Sequence, residues 1–136
     1  MLNGQAITHN SNGSNKSTRR ILVVEDDSNH RYIFGRTLSH AGYQVYPAAT
    51  VAEADNLLAE NHFDLLLCDV CLDGGRYGTD LVQAHAAELT EQGTRIVMVS
   101  SEVHYRHKCE ALGLDLFVKK PVGIRPLMAL VDRLTA

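Results

Sequence analysis

The sequence predicts an α/β domain in which helices cover both faces of a parallel β-sheet. Three observations point there. The runs ILVV (21–24), FDLLLC (63–68), IVMV (96–99) and LFV (116–118) are almost uninterrupted apolar stretches rather than alternating ones, as in strands buried on both faces. Amphipathic segments separate them, so strand and helix alternate five times between Ile21 and Ala136. The chain has 136 residues, 45% of them apolar, which supports one core and is too short for two ordinary domains.

Each element has its own signal. Residues 1–19 are rich in Asn, Ser, Gly and Thr and lack periodicity, which predicts a disordered extension ahead of a domain over 20–136. Asn15-Lys16-Ser17 fits a glycosylation sequon, which carries no weight in an intracellular chain. ILVV is the first strand, stopped by Glu25-Asp26-Asp27. Ser28–Ala41 reads as a helix with Ile33, Phe34, Leu38 and Ala41 on its apolar stripe and Gly42 as its stop. Gln44–Tyr46 is a short strand. Thr50 and Glu53 have capping-box spacing, and Val51, Ala54, Leu57 and Leu58 form the apolar face of the helix that follows. Phe63–Cys68 is a strand ended by Asp69, and a Gly-rich loop over 72–78 leads to a helix from Thr79 to Leu89. Ile96–Val99 is a strand ended by Ser100-Ser101, and Glu102–Leu112 is a helix. Leu116–Val118 is a strand ended by Lys119-Lys120-Pro121, and Pro126 opens a last helix to Leu134. Met98, Leu127, Met128, Leu130, Val131 and Leu134 belong to the core by pattern.

Charge and cysteine usage exclude several classes. A net charge of −3 and a pI near 6.1 offer no electropositive footprint, so no nucleic-acid partner is expected. No apolar run approaches the ~20 residues that cross a bilayer, so no membrane insertion is expected. The N-terminus lacks the apolar segment of a signal peptide. Three cysteines, an odd count without a disulfide framework, fit a reducing cytoplasmic location.

In parallel sheets of this kind, ligands gather beyond the carboxyl ends of the strands. The residues at those ends are Glu25, Asp26 and Asp27, then Asp69, then Ser100, then Lys120. Singly, each has an ordinary explanation: a solvated turn acid, a helix cap, a turn hydroxyl, a solvated base. The sheet brings them to one edge. Carboxylates a few ångströms apart repel, and one tends to keep a proton unless a cation intervenes. A hard divalent ion, Mg2+ or Mn2+, relieves this through oxygen ligands and shares substrate phosphate. A lysine ammonium neutralises a phosphoryl oxygen, a hydroxyl bonds another, and an aspartate is a nucleophile toward phosphorus. Together these parts predict Mg2+-dependent phosphorylation of one aspartate.

ILVVEDD (21–27), DLLLCD (64–69), IVMVSS (96–101) and FVKKP (117–121), in this order and spacing, resemble the receiver domain of two-component response regulators of the single-domain, chemotaxis type. The resemblance spans Ile21 to Ala136 and implies a flavodoxin-like, doubly wound (βα)5 sandwich of three layers with sheet order 2-1-3-4-5. It implies Asp69 as the phosphoacceptor, and Glu25 with Asp26 as the acidic pair for Mg2+, Asp26 the more direct. The backbone carbonyl of Cys71 would be a further metal ligand. Ser100 and Lys120 would meet the phosphoryl group, Phe117 would be the switch aromatic, and the Lys120–Pro121 bond would be cis. The donor would be a sensor histidine kinase or a histidine phosphotransfer protein. A downstream target would read a surface built from the fourth and fifth helices and the fifth strand. On this reading the chain is a phosphoacceptor switch, not an enzyme. Sixteen residues follow Lys120, room for one helix, so no output domain is expected here; output would run through protein contacts, or the chain is one module of a longer protein.

The sequence departs from the family pattern at Glu25, where Asp is commoner, and at Asp73, where proline is usual. The loop LDGGRYG (72–78) is also longer than usual, and Cys71 and Glu102 occupy positions that tune phosphoryl lifetime. A phosphohydrolase with an aspartate nucleophile would carry a second Asp where Cys71 stands. A nucleotide- or flavin-binding domain would need a glycine-rich loop after the first strand, which is missing. A pseudo-receiver, binding partners without ever being phosphorylated, stays open. Cys68 and Cys71 spell CxxC, but three residues apart on a strand they point to opposite faces. His104, His107 and Cys109 offer too few ligands for zinc. Phe117 also has an ordinary reading as a strand aromatic.

Overall fold

The computed structural model describes residues 15–114 and 116–136. Most of the extension expected to be disordered lies outside them. Its last part does not follow that expectation: Asn15–Thr18 forms a short 3-10 turn tied to the domain. Gln44 Nε2 donates to the Ser17 carbonyl at 2.6 Å, and Lys16 pairs with Asp132 at 3.3 Å.

Five strands form one sheet: β1 Arg20–Val24, β2 Gln44–Ala48, β3 Leu65–Asp69, β4 Arg95–Ser100 and β5 Leu116–Lys119. Every pairing is parallel and the order is β2-β1-β3-β4-β5, the doubly wound arrangement expected. Five helices make the four crossovers, α1 Ser28–His40, α2 Val51–Glu60, α3 Gly78–Ala84 with α4 Ala86–Gln92, and α5 Tyr105–Ala111, while α6 Ile124–Leu134 follows the last strand. Alternate strand residues feed opposite faces. Ile21, Val23, Leu65, Leu67, Val97 and Val99 pack with Phe34 and Leu38 of α1 and Leu127 and Val131 of α6. Leu22, Val24, Leu66, Cys68 and Met98 pack with α2 to α5 on the other face. The two burials explain why the strand sequences are apolar at consecutive positions.

Several boundaries differ from expectation, each for a local reason. β2 runs on through Pro47 to Ala48; it is an edge strand, where a missing N–H is tolerated. β3 starts at Leu65 rather than Phe63. Phe63 is buried outside the ladder, and its carbonyl accepts from the Thr94 hydroxyl at 2.7 Å. The predicted third helix is two, α3 and α4, kinked at His85 (φ −109°, ψ 13°), whose ring lies between Asp55 at 2.8 Å and Glu88 at 3.2 Å. α5 begins at Tyr105, not Glu102, because tight turns at Glu102 and Val103 precede it. On α1, Ile33 is 45% exposed and Ala41 half-buried. The buried stripe runs instead through Phe34, Gly35, Leu38 and Ser39, leaving positions 33 and 41 at its edges. Met128, Leu130 and Leu134 are half-buried rather than core.

The capping-box expectation holds: Thr50 caps α2 by accepting from the Glu53 N–H at 3.1 Å, while Glu53 reaches back to the Ala49 N–H at 2.7 Å. Asp27, read from the sequence only as part of the acidic turn, also caps α1. The Lys120–Pro121 bond is cis. All three cysteines are free. Among the described residues, no helix is long and apolar enough to cross a membrane.

Tyr43 is buried at the base of the α1–α6 layer, and its hydroxyl donates to Asp132 Oδ1 at 2.5 Å. Burial and the Asp132 contact push the phenol up to about 12. Tyr43→Phe removes the donor and leaves this partner short of a hydrogen bond. The expected loss is about 1–2 kcal/mol in urea unfolding, with an unchanged m-value.

Candidate functional site

The carboxyl edge of the sheet collects the polar residues that follow the strands. Glu25, Asp26 and Asp27 follow β1, Asp69 ends β3, Ser100 ends β4, and Lys120 follows β5. The parallel register levels these ends, with Val24 opposite Cys68 and Asp69 opposite Val99. All of these polar residues but Ser100 line a solvent-connected cleft of about 650 Å³, together with His30, Ser101, Val122 and Ile33.

Lys120 Nζ donates to Glu25 Oε1 at 2.6 Å and to Asp69 Oδ2 at 2.9 Å. Glu25 is 2% exposed and Asp69 9%. Burial pushes the Glu25 carboxyl up to about 7; the Lys120 hydrogen bond opposes the rise and Asp69 adds to it. Burial alone would lower the Lys120 ammonium, but its bonds to Glu25 and Asp69 outweigh this and hold it above the ordinary lysine value. Carboxylate oxygens of Glu25, Asp26 and Asp69 lie within 4.8 Å of one another. Three such acids facing one ammonium leave negative charge uncompensated. That all-oxygen donor set suits a hard divalent cation.

Contributors with no motif in the sequence hold the cluster in place. Arg31 Nη1 donates to the carbonyls of Glu25 at 2.9 Å and Asp26 at 3.2 Å, bracing the acidic turn from α1. Glu25 Oε2 accepts from the Asp27 N–H at 3.2 Å. Gly78 lies against the phosphoacceptor candidate itself: a Cβ there would meet the Asp69 carbonyl oxygen at 2.1 Å and Cys68 Sγ at 2.6 Å. Its N–H donates to the Val70 carbonyl at 2.7 Å. The only hint in the sequence is a glycine closing the loop before a helix.

The remaining site candidates occupy distinct surroundings. Ser100 is buried, and its hydroxyl accepts from the Glu102 N–H at 3.1 Å. Phe117 is half-buried, with the Arg106 guanidinium 4.9 Å from its ring centre. Cys71 is half-buried and forms an isolated backbone bridge with Tyr77. Cys68 is fully buried, its thiol donating to the Asp69 carbonyl at 3.3 Å, and burial pushes that thiol up. Cys109 is core, and exposed His107 pairs with Glu110 at 3.7 Å.

A doubly wound sheet whose carboxyl edge carries an acid cluster under a lysine defines a class that handles phosphate with a divalent cation. The model of the response regulator receiver domain matches residues 21–132, and the chain belongs to that family. It is 29% identical over 120 residues to hybrid signal transduction histidine kinase F of Dictyostelium discoideum, covering 84% of this chain and 11% of that protein. It is 33% identical over 107 residues to a cyclic di-GMP phosphodiesterase of Thermotoga maritima, covering 79% and 28%. The chain thus spans less than a third of these curated relatives. Among solved structures, it is similar to chemotaxis response regulator CheY4 of Vibrio cholerae, with a TM-score of 0.77 and 26% identity over 85% of this chain and 98% of that one. It is also similar to response regulator TrrA of Thermotoga maritima in complex with Mg2+ and BeF, with a TM-score of 0.75 and 25% identity over 85% and 98%. Receiver domains are phosphoacceptor switches that work with histidine kinases or phosphotransfer partners and bind Mg2+ at an acidic pocket.

Gly78→Ala drives a methyl group into the Asp69 backbone, so a loss of about 2–3 kcal/mol is expected in chemical denaturation. The Glu25 carboxyl sits near 7 in the fold against an ordinary 4.5, so the folded state binds more protons between those values. Its contribution therefore falls as pH rises through that window, by up to on the order of 3 kcal/mol in chelator. His85, also raised, pushes stability in the same direction. Comparison with Glu25→Gln separates the two: the variant is expected to show the shallower decline from pH 5 to 8.

Proposed function

We propose that the domain accepts a phosphoryl group onto Asp69 from the phosphohistidine of a sensor histidine kinase or histidine phosphotransfer protein. The reading rests above all on one observation: a single ammonium, Lys120, bonds both Glu25 and Asp69 while Asp26 faces the same pocket. Glu25, Asp26, Asp69 and the backbone carbonyl of Cys71 would hold Mg2+ or Mn2+, which when bound neutralises and orients the phosphoryl oxygens. A carboxylate oxygen of Asp69 forms the new bond to phosphorus. The phosphorus–nitrogen bond of the donor breaks, and its electron pair leaves with the imidazole.

The other side chains manage the charge this creates. Lys120 follows a phosphoryl oxygen from its place on Asp69 Oδ2. Ser100 gives up the Glu102 N–H and turns its hydroxyl to the phosphoryl group. Phe117, under Arg106, then repacks, and the surface of α5, β5 and α6 carries the signal to a protein target. These elements are the fourth helix, fifth strand and fifth helix of the sequence pattern, since the third helix is split. The domain over 20–136 acts in the cytoplasm as a switch and turns over no free substrate.

Incubation with a small-molecule phosphodonor and Mg2+, followed by intact-mass measurement, tests this. One phosphoryl adduct is expected on the wild type, and none on Asp69→Asn or with chelator present. Equal labelling of both proteins would remove Asp69 from its role. No labelling of either would leave a binding module that is never phosphorylated.

A further inference from the structure

Lys120 has three acceptors around its ammonium, and the third is not an acid. Nζ lies 2.6 Å from Glu25 Oε1, 2.9 Å from Asp69 Oδ2 and 3.4 Å from His30 Nδ1. An ammonium has three N–H donors and no lone pair, so these partners saturate it. To accept, Nδ1 must be bare, which places the ring proton on Nε2 and leaves the imidazole neutral.

The scaffold holds this ring in place. His30 sits in the first turn of α1, where Asp27 Oδ1 accepts its backbone N–H at 3.2 Å. The ring stacks on Phe34 with centroids 6.2 Å apart, while Glu25 Oε1 and Asp27 Oδ2, each 3.8 Å from Nδ1, stand beyond hydrogen-bond range. His30 is 47% exposed, whereas Glu25 and Asp69 are buried. The three acceptors of Lys120 therefore run from the mouth of the cleft to its floor.

We propose that His30 is a positioning residue for phosphoryl acceptance, a neutral anchor that holds Lys120 toward the mouth of the cleft; this rests on the reading of Asp69 as phosphoacceptor. An ammonium bonded to the two acids alone is drawn down between them, where it competes with the attack of Asp69 and with metal binding by Glu25. A neutral acceptor at the mouth draws Nζ toward the side from which phosphoryl oxygens arrive, and adds no charge to rival the metal. As a phosphoryl oxygen approaches, Nζ trades one partner for it and keeps three bonds throughout.

Side-chain stereochemistry gives the test. In His30→Asn, Oδ1 falls where Nδ1 sits; in His30→Gln, the acceptor reaches the Nε2 position instead; His30→Ala has none. Phosphorylation of the full chain by phosphoramidate is timed at saturating Mg2+ and a fixed, mildly alkaline pH. Ala and Gln are expected to slow it about tenfold, the loss of one hydrogen bond to a charged group. Asn is expected to recover most of the rate; calorimetric Mg2+ affinity is expected to fall in Ala and Gln but not in Asn, with melting temperature unchanged in all three. The imidazole ¹⁵N spectrum of the wild type should show the Nε2–H tautomer. Wild-type rates in all three variants, an Asn variant as slow as Ala, or a proton on Nδ1 would each overturn the proposal. If the wild type itself takes no phosphoryl group, the assignment of Asp69 fails first and this role falls with it.

Discussion

Burying Glu25 and Asp69 under the single ammonium of Lys120 is the constraint from which the rest of the site follows. Removing a carboxylate from water is costly unless charge and hydrogen bonds replace the lost hydration. Here the compensation is partial. Burial, with the Asp69 carboxylate beside it, leaves Glu25 holding its proton toward neutral pH, and Asp26 adds a third acid within the same few ångströms. The resting site is therefore electrostatically incomplete, which is the condition that gives a divalent cation and a phosphoryl group somewhere to go.

Keeping acids together against their repulsion requires a rigid frame, and the sheet supplies it. Consecutive apolar residues on β1, β3 and β4 bury both faces, so the strand ends cannot drift without opening two cores at once. The loops beyond them are fixed by direct bonds: Arg31 to the carbonyls of the acidic turn, Asp27 to the first turn of α1, and the Gly78 backbone against Asp69. Rigid strands with short, braced loops are the usual way a fold presents reactive groups on variable connections.

Much of this was legible in the residues. Doubly buried strands announce themselves as unbroken apolar runs, and the Thr50 cap is a short-range hydrogen bond encoded within four positions. What misled was anything decided across layers. Ile33 fits a helical stripe, yet α1 meets the sheet through its neighbour Phe34, and a rotation of one residue is invisible to periodicity alone. The break at His85 accompanies a contact with Asp55, thirty positions away.

The sequence by itself determined the sheet, its parallel sense and the identity of the acids, hydroxyl and amine at its edge. Those depend on composition and spacing over a few residues, where hydrophobic pattern dominates. Only the tertiary structure decided which of those groups touch, that Gly78 must be bare, and that His30 and Arg31 join the site. Such contacts arise where loops from distant strands converge, over separations of up to 95 residues, and no local pattern encodes them.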